Sequence, residues 1–443
     1  MNITFQNQNP WRNPDFSFPK DKYIYRQILE KIINHLDKQE ITVIVGSRQV
    51  GKTFLMKKTI EHLLLKGDMD PKQIFYFNFD SLELIELIQN EKDFLDFVRD
   101  YSIKDKRCYI FLDEAQRITN CGLLIKRYFD LGLNIKFIVS GSSSLEVKSE
   151  VKETLAGRKR LFELFPITFG EFLAYKGISN TTSIENKLRF EYNHYIDLLN
   201  EFILFGGYPG VVKLANAEDK ILLLKEIFQS YIQKDIGDFL NVSDVLGFNK
   251  LLQMLATQSA QLLKSNELSK LIGVSRYNIE KYLFFLQQTY IVHLLRPYFI
   301  NIGKALIKTP KLYFIDTGIR NVVFNQFQDL NIRADNGQLA ENFVFSELAK
   351  SVDLNNLWFY RTTSGTEIDF LYNIGTSVIP IEVKYSESKQ RSIPRAFSTV
   401  FQKLDIKKAL VLTKNYLNRR EQSNISVIFQ PIFDIPFEEI LEK

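Results

Sequence analysis

A phosphate-binding loop is the part of this sequence whose residue types and spacing predict chemistry most directly. Residues 46–53 fit the pattern GxxxxGKT, between an apolar run at 41–45 and a segment with helical apolar spacing. In this order of strand, loop and helix, backbone amides and the helix N-terminus surround an anion. The predicted nucleotide-binding residues are Gly46, Ser47, Arg48, Gln49, Val50, Gly51, Lys52 and Thr53. We expect Lys52 to bind the β- and γ-phosphates and the Thr53 hydroxyl to bind Mg²⁺.

Two carboxylates after a later apolar run predict the hydrolytic half of the same site. Asp113 and Glu114 follow the run at 109–112. We expect Asp113 to hold Mg²⁺, directly or through water, and Glu114 to orient and deprotonate the attacking water. A Ser/Gly cluster ends the next predicted strand, where Ser140 or Ser142 could contact the γ-phosphate; a plain turn is the alternative.

Arg158 precedes the fifth predicted strand, and two roles stay open for it. The guanidinium could reach the nucleotide of a neighbouring subunit and stabilise charge in the transition state. It could equally form a salt bridge within its own chain.

A second acidic constellation lies in the C-terminal part of the chain. Glu382 and Lys384 alternate along a predicted strand and therefore share one face, while Asp369 lies on another strand and Glu341 on the preceding helix. Asp369 and Glu382 could bind one Mg²⁺, with Lys384 activating a water and Glu341 completing the ligand shell. The alternative is a simple ion pair on an exposed strand.

Composition limits the classes of function that the chain could have. Of its 443 residues, 45% are hydrophobic and 25% are charged, which is ordinary for a globular protein of about three domains. Two cysteines predict no disulfide framework, and four scattered histidines argue against a zinc site. We found neither a membrane span nor a secretory signal, and therefore expect a cytoplasmic protein.

The segment 241–310 carries the positive charge of the chain. It contains eight basic and three acidic residues, although the whole chain has a net charge of only +5. Within it, 265–288 has helix–turn–helix spacing with Gly273 in the turn, and strand-like runs follow, which together indicate a winged helix. A basic winged helix predicts duplex DNA as a partner. A solvated positive face and a purely structural helical hairpin stay open as alternatives.

The order of apolar runs predicts the α/β class. Strands alternate with helices up to Pro166, which predicts a parallel sheet with helices on both faces. The first twenty residues of the chain, before the first strand, are predicted to be an irregular arm. After Pro166, we expect mostly helix to about residue 240. The last strand is predicted at 409–412. The predicted domains are 1–165 (P-loop core with N-terminal arm), 166–240 (helical lid), 241–310 (winged helix) and 311–443 (nuclease-like domain).

Five blocks in this order resemble the AAA+-like P-loop ATPases of bacteria and archaea that carry a C-terminal DUF4143-type domain. The blocks read GSRQVGKT, FLDEAQRI, VSGSSS, LAGRKR with LFPITFGEF, and FGGYP. The resemblance implies ATP as the nucleotide, Lys52 and Thr53 in phosphate and Mg²⁺ binding, and Asp113 with Glu114 as the acidic pair. It also matches Arg158 to a suspected arginine finger. The C-terminal pattern resembles the PD-(D/E)xK nuclease core, although no proline precedes Asp369.

These inferences predict a Mg²⁺-dependent protein that binds and hydrolyses ATP, associates with DNA and rearranges its C-terminal modules when ATP turns over. Two alternatives stay open. One is an ATP-dependent switch that binds a protein partner without DNA, and the other is a DNA nuclease gated by ATP. Assembly into an oligomer is compatible with either.

Overall fold

The computed structural model describes residues 3–19, 23–67, 69–142, 155–178, 183–231, 245–299, 308–362, 364–375, 377–387, 390–401 and 404–441. The chain divides into two compact units. The first is Met1–Ile167 with Gln288–Tyr290, and the second is Thr168–Gln287 with Ile291–Lys443. Within the described ranges, no helix is long and apolar enough to cross a bilayer.

A five-stranded parallel sheet forms the centre of the first unit. Its strands are β1 (Ile41–Gly46), β2 (Ile74–Asn78), β3 (Cys108–Asp113), β4 (Ile135–Ser142) and β5 (Lys159–Leu164). They are ordered β2-β3-β4-β1-β5, and every neighbouring pair is parallel. β1 and β3 are buried along their whole length, which explains why both read as continuous apolar runs. The parallel α/β sheet predicted from the sequence is confirmed.

Among the described residues, six α-helices accompany this sheet. They are α1 (Ile3–Gln8), α2 (Ile28–Ile33), α3 (Lys52–Leu65), α4 (Leu82–Gln89), α5 (Glu91–Tyr101) and α6 (Cys121–Asp130). The prediction of an irregular N-terminal arm was wrong for α1. Phe5 is fully buried in the core, and its ring centroid lies 5.3 Å from that of Phe77 on β2. This aromatic packing holds the segment against the edge strand of the sheet.

The second unit begins with helices and a small antiparallel sheet. The helices are α7 (Phe169–Tyr175), α8 (Ile184–Phe190), α9 (Tyr192–Phe205), α10 (Pro209–Val212), α11 (Ala217–Ser230), α12 (Val245–Thr257), α13 (Ser265–Ile272) and α14 (Arg276–Gln288). The sheet has the order β6-β8-β7, with β6 (Gln261–Leu262), β7 (Val292–Leu295) and β8 (Lys311–Phe314). The predicted boundary at residue 310 divides this sheet, because β8 hydrogen-bonds with both other strands.

A six-stranded mixed sheet forms the C-terminal part of the second unit. Its strands are β9 (Leu357–Arg361), β10 (Glu367–Ile374), β11 (Ser377–Lys384), β12 (Lys408–Thr413), β13 (Asn418–Gln422) and β14 (Ile425–Pro431), in the order β13-β14-β12-β11-β10-β9. The α-helices that the structure describes in this part are α15 (Thr317–Phe324), α16 (Asn336–Ser351), α17 (Arg395–Phe401) and α18 (Phe437–Leu441). The prediction that 409–412 is the last strand was wrong, since β13 and β14 follow it.

The block Phe205-Gly206-Gly207-Tyr208-Pro209 forms a close junction at the end of α9. Gly206 has a φ of 72°, and a Cβ built there would lie 2.1 Å from Oδ1 of Asp316. The buried Asp316 carboxylate accepts hydrogen bonds from the backbone N–H of Gly207 at 2.8 Å and of Ile319 at 3.1 Å. Asp316 therefore caps α15 and fixes the end of α9 at the same time.

Candidate functional site

The predicted phosphate loop connects β1 to α3 in the first unit. A Cβ at Gly46 would lie 2.2 Å from the carbonyl oxygen of Leu164, so the neighbouring strand β5 leaves room only for glycine there. Gly51 has a φ of 96°, and Gln49 also has a positive φ of 61°. This left-handed backbone turns successive amides toward the inside of the loop. The Ser47 hydroxyl is buried there and has no hydrogen-bond partner among the described residues.

Lys52, at the N-terminus of α3, is buried over this loop. Its ammonium donates hydrogen bonds to the carbonyl oxygens of Gly46 at 3.0 Å and Ser47 at 2.9 Å. The side chain therefore lies across the loop that it is predicted to serve. In that position its charge is available to an anion held by the loop amides.

Asp113, at the C-terminal end of β3, is fully buried and accepts hydrogen bonds from three hydroxyl groups. Thr53 donates to Oδ2 at 2.7 Å, Tyr76 donates to Oδ2 at 2.6 Å, and Ser140 donates to Oδ1. The structure thus brings together Thr53 and Asp113, the two predicted Mg²⁺ ligands. It also directs the Ser140 hydroxyl to Asp113, whereas the side chain of Ser142 lies outside the described residues.

Tyr76 is a member of this cluster that sequence reasoning missed. It lies on β2, next to β3 in the sheet, and burial together with the nearby charge of Asp113 raises the pKa of its hydroxyl. The signal was present but weak: a tyrosine in an apolar strand adjacent to the acidic strand. In the parallel register Tyr76 pairs with Phe111 and Asn78 with Asp113, so the phenol reaches Asp113 two residues further along the same face.

Glu114, directly after Asp113, has hydrogen-bond partners of its own. It has a left-handed backbone with a φ of 56°, and its own N–H donates to Oδ1 of Asp113 at 3.1 Å. Its carboxylate accepts a hydrogen bond from the side-chain amide of Gln116. The two adjacent acids therefore have different surroundings, as two different chemical roles would require.

Arg158 lies at the opposite edge of the sheet from the phosphate loop. Its carbonyl oxygen accepts the N–H of Ile41, the first residue of β1, whereas the loop follows the last residue of β1. Its guanidinium forms a salt bridge with Asp130 at 2.8 Å. Of the two roles left open by the sequence, the structure therefore contains the salt bridge. Arg158 cannot reach the phosphate loop of its own chain from this position.

The basic segment of the second unit presents its charge on the surface. The seven basic residues of 241–310 that the structure describes are all exposed: Lys250, Lys264, Lys270, Arg276, Lys281, Arg296 and Lys308. Lys304 lies outside the described residues. Lys264 pairs with Glu267 and Arg276 with Glu280, and such exposed pairs are weak. Tyr277 and Phe284 on α14 are also exposed, by 76% and 50%.

Two of the four C-terminal candidates, Glu341 and Asp369, lie around a buried lysine. Lys311 places its ammonium 2.9 Å from Oε1 of Glu341 and 3.6 Å from Oδ1 of Asp369. The same ammonium lies 2.5 Å from Glu367. Sequence reasoning missed both Lys311 and Glu367, because nothing in the local pattern of β8 or β10 indicates a shared partner.

The other pair of this cluster is Glu382 and Lys384 on β11. Their side chains form an ion pair, and the backbone N–H of Asp369 approaches Oε2 of Glu382 at 3.4 Å. Burial and the repulsion of Asp369 raise the pKa of Glu382 and of Glu341. Among the described residues, no group of three or more His, Cys, Asp or Glu side chains has the geometry to hold a metal ion.

Three protein families match consecutive parts of the chain. An AAA domain family matches residues 38–173, a domain of unknown function, DUF8612, matches 196–330, and a second one, DUF4143, matches 336–433. The chain therefore combines an AAA-like P-loop ATPase domain with a C-terminal DUF4143 domain. This confirms the family resemblance inferred from the sequence motifs. The helix–turn–helix segment lies within the DUF8612 match.

Relatives of similar length exist in distant microorganisms. An uncharacterized protein of Haemophilus influenzae is 26% identical over 414 residues, covering 90% of this chain and 96% of that protein. An uncharacterized protein of Methanocaldococcus jannaschii is 28% identical over 406 residues, covering 89% and 86%. Among solved structures, a Walker-type ATPase of Pyrococcus abyssi is similar with 13% identity and a TM-score of 0.43, covering 70% of this chain and 99% of that one.

Proposed function

We propose that the first unit binds ATP with Mg²⁺ and hydrolyses it, and that turnover changes the arrangement of the second unit. The observation that carries the proposal is the convergence of Lys52, Thr53 and Asp113 at one end of β1 and β3. The Thr53 hydroxyl is 2.7 Å from the Asp113 carboxylate. An AAA domain supplies this combination for a nucleoside triphosphate.

The donor atoms present fit Mg²⁺. A hydroxyl and a carboxylate are hard oxygen ligands, and Mg²⁺ takes one or two such protein ligands together with phosphate oxygens and water. When bound, the ion neutralises charge that develops on the phosphates. On the side of the protein, Lys52 would shift from the carbonyl oxygens of Gly46 and Ser47 to the phosphates. The unpartnered Ser47 hydroxyl would donate to the same anion.

Glu114 is the proposed general base, and Glu114→Gln tests this role. Since the change keeps shape and removes basicity, we expect ATP binding to persist and turnover to fall by about 100-fold or more. Phosphate release and equilibrium binding are to be measured on the same samples. Glu86→Gln, an exposed site on α4, is the matched control. Full turnover in Glu114→Gln would contradict the assignment.

We further propose that the basic face of 241–310 binds duplex DNA, chiefly through phosphates. Seven exposed cations support this proposal, and helices α13 and α14 have the spacing of a helix–turn–helix. Such binding weakens steeply as salt rises, because each neutralised phosphate releases counterions. ATP turnover measured with and without duplex DNA would show whether the two activities are linked.

Charge reversal on α14 tests whether this helix contacts duplex DNA or only adds to the net positive charge that attracts it. We expect Lys281→Glu to weaken duplex binding and to lower the salt slope by about one, the contribution of one phosphate contact. Lys250→Glu, on α12 in the same basic segment, is the comparison for net charge. Equal losses in both variants would mean that α14 has no special place in the contact.

A protein partner in place of DNA is the second candidate, favoured by the exposed aromatic side chains of α14. Tyr277 and Phe284 are seven residues apart and therefore lie on one helix face. Exposed aromatic side chains are typical of protein-binding surfaces. If Tyr277→Ala and Phe284→Ala leave duplex binding intact while duplex DNA leaves ATP turnover unchanged, the protein-partner function is the better account.

A further inference from the structure

Lys311 is a buried lysine that plays no part in the proposed ATPase site. It is the first residue of β8 and pairs with Leu295 on β7 and Leu262 on β6, at the end of the three-stranded sheet. Its side chain is 3% exposed. Removing an ammonium ion from water is costly unless carboxylates compensate its charge. The groups around Lys311 must therefore supply this compensation.

Three carboxylates surround this ammonium, and they come from two other elements. Glu341 lies on α16, while Glu367 and Asp369 both lie on β10. The β9–β10 pairing shifts register between Ile368 and Leu371, so the ladder is irregular beside Asp369. Glu367 and Asp369 alternate along β10 and therefore share one face, which lets both carboxylates approach one cation.

Two of the carboxylates around this cation, those of Glu341 and Asp369, also accept hydrogen bonds from other donors. Oε1 of Glu341 accepts from Lys311 at 2.9 Å and from the Tyr313 hydroxyl at 2.6 Å. Oδ2 of Asp369 accepts the backbone N–H of Val383 at 2.8 Å, which leaves Oδ1 facing the ammonium. A divalent ion bound between Glu341 and Asp369 would require oxygen atoms at about 2.0–2.6 Å from its centre. The Lys311 ammonium lies in that space.

We propose that Lys311 is the resident cation of this carboxylate cluster: its ammonium occupies the position between Glu341 and Asp369 that a divalent metal ion would need. The native chain therefore takes up no Mg²⁺ or Mn²⁺ there. The cluster joins β8 of the three-stranded sheet to α16 and β10 of the C-terminal domain by charge. Phosphodiester cleavage through a metal ion at this place is not available to the native chain.

Lys311 thereby keeps a divalent ion out of a place where the surrounding carboxylates could bind one. Replacing the ammonium by an apolar group of similar length leaves three half-buried carboxylates, those of Glu341, Glu367 and Asp369, facing the same small space. Such a cluster attracts a hard divalent ion, because oxygen ligands of negative charge are what Mg²⁺ and Mn²⁺ bind. Because the ammonium and a metal ion cannot share this position, and because their like charges repel, removing the ammonium should tighten binding of the ion by on the order of 100-fold or more.

Mn²⁺ binding to the nucleotide-free full chain tests the proposal, with the free ion followed by electron paramagnetic resonance. We expect the native chain and Asp369→Asn to bind the same amount of Mn²⁺. Lys311→Met should gain one bound Mn²⁺ per chain, and the double variant Lys311→Met/Asp369→Asn should lose it. Lys311→Arg, which keeps a cation, should resemble the native chain.

Two results would overturn the proposal. The first is a Mn²⁺ ion bound by the native chain and lost in Asp369→Asn. The second is a folded Lys311→Met chain that gains no ion. If Lys311→Met does not fold, the comparison of the native chain with Asp369→Asn decides alone. None of these readouts depends on ATP turnover, so the ATPase proposal and this one can fail separately.

Discussion

The substitution Gly206→Ala should destabilise the second unit strongly, because two structural requirements meet at this glycine. Its backbone has φ 72° and ψ −169°, a conformation that costs a residue with a Cβ about 1–2 kcal/mol. The new Cβ would also lie 2.1 Å from Oδ1 and 2.6 Å from Cγ of Asp316. The carboxylate must then move and weaken a buried hydrogen bond to the N–H of Gly207 or Ile319, at about 1.5–3 kcal/mol. We expect a total loss of about 3–5 kcal/mol.

Denaturant unfolding followed by tryptophan fluorescence can measure this loss in the second unit alone. The chain has two tryptophans, Trp11 in the first unit and Trp358 in the second, so a Trp11→Phe background isolates the second unit. Gly337→Ala is the matched control: it is also a glycine of the second unit, but a Cβ there meets nothing within 4 Å. That helical change should be neutral or stabilise by about 1 kcal/mol. Equal midpoints for the two variants would refute the argument.

Three further predictions concern the first unit. Burial and the nearby Lys136 charge lower the pKa of His35 to about 4, so the folded state binds its proton less readily than the unfolded state. The stability that neutral His35 contributes should be fully present above about pH 6.5, and the free energy of unfolding should fall by at most about 3 kcal/mol as the pH drops through 4. In pH-dependent unfolding, His35→Gln should flatten this decline. Phe5→Ala should cost about 3–5 kcal/mol in denaturant unfolding, since α1 packs through this ring; a loss below 1 kcal/mol would mean that α1 is dispensable. Arg158→Ala should change stability by less than about 1 kcal/mol, because its salt bridge is exposed; a large loss of ATP turnover would then indicate action on a neighbouring subunit.

Local sequence patterns were enough to predict most of the α/β fold. Buried parallel strands read as apolar runs, and the loop after β1 has a specific glycine spacing, so the α/β sheet could be predicted without any contact information. The failures have physical reasons. α1 depends on one aromatic residue, Phe5, whose partners are about 70 residues away. β13 reads Asn-Arg-Arg-Glu-Gln, since it is an edge strand with alternate exposure, and its polar sequence hid the hairpin that it forms with β14.

The site could be predicted only as far as its chemistry was local in sequence. Lys52, Thr53, Asp113 and Glu114 belong to motifs with fixed spacing. Tyr76 joins Asp113 only through the pairing of neighbouring strands. Lys311 on β8 meets carboxylates of α16 and β10, three elements that sequence patterns do not place together. The carboxylate cluster predicted from sequence thus lacked Lys311 and Glu367, including the lysine that we propose as its resident cation.

Equilibrium binding of ATP with Mg²⁺ to the full chain tests the central claim most directly, with a fluorescent ATP analogue as the reporter. The native chain should bind one nucleotide, and Lys52→Ala should weaken binding by at least about tenfold, because it removes a buried cation from the phosphate loop. Lys57→Ala, an exposed lysine on the same helix, should bind as the native chain does. Equal affinity in all three chains, or no binding to the native chain, would contradict the account.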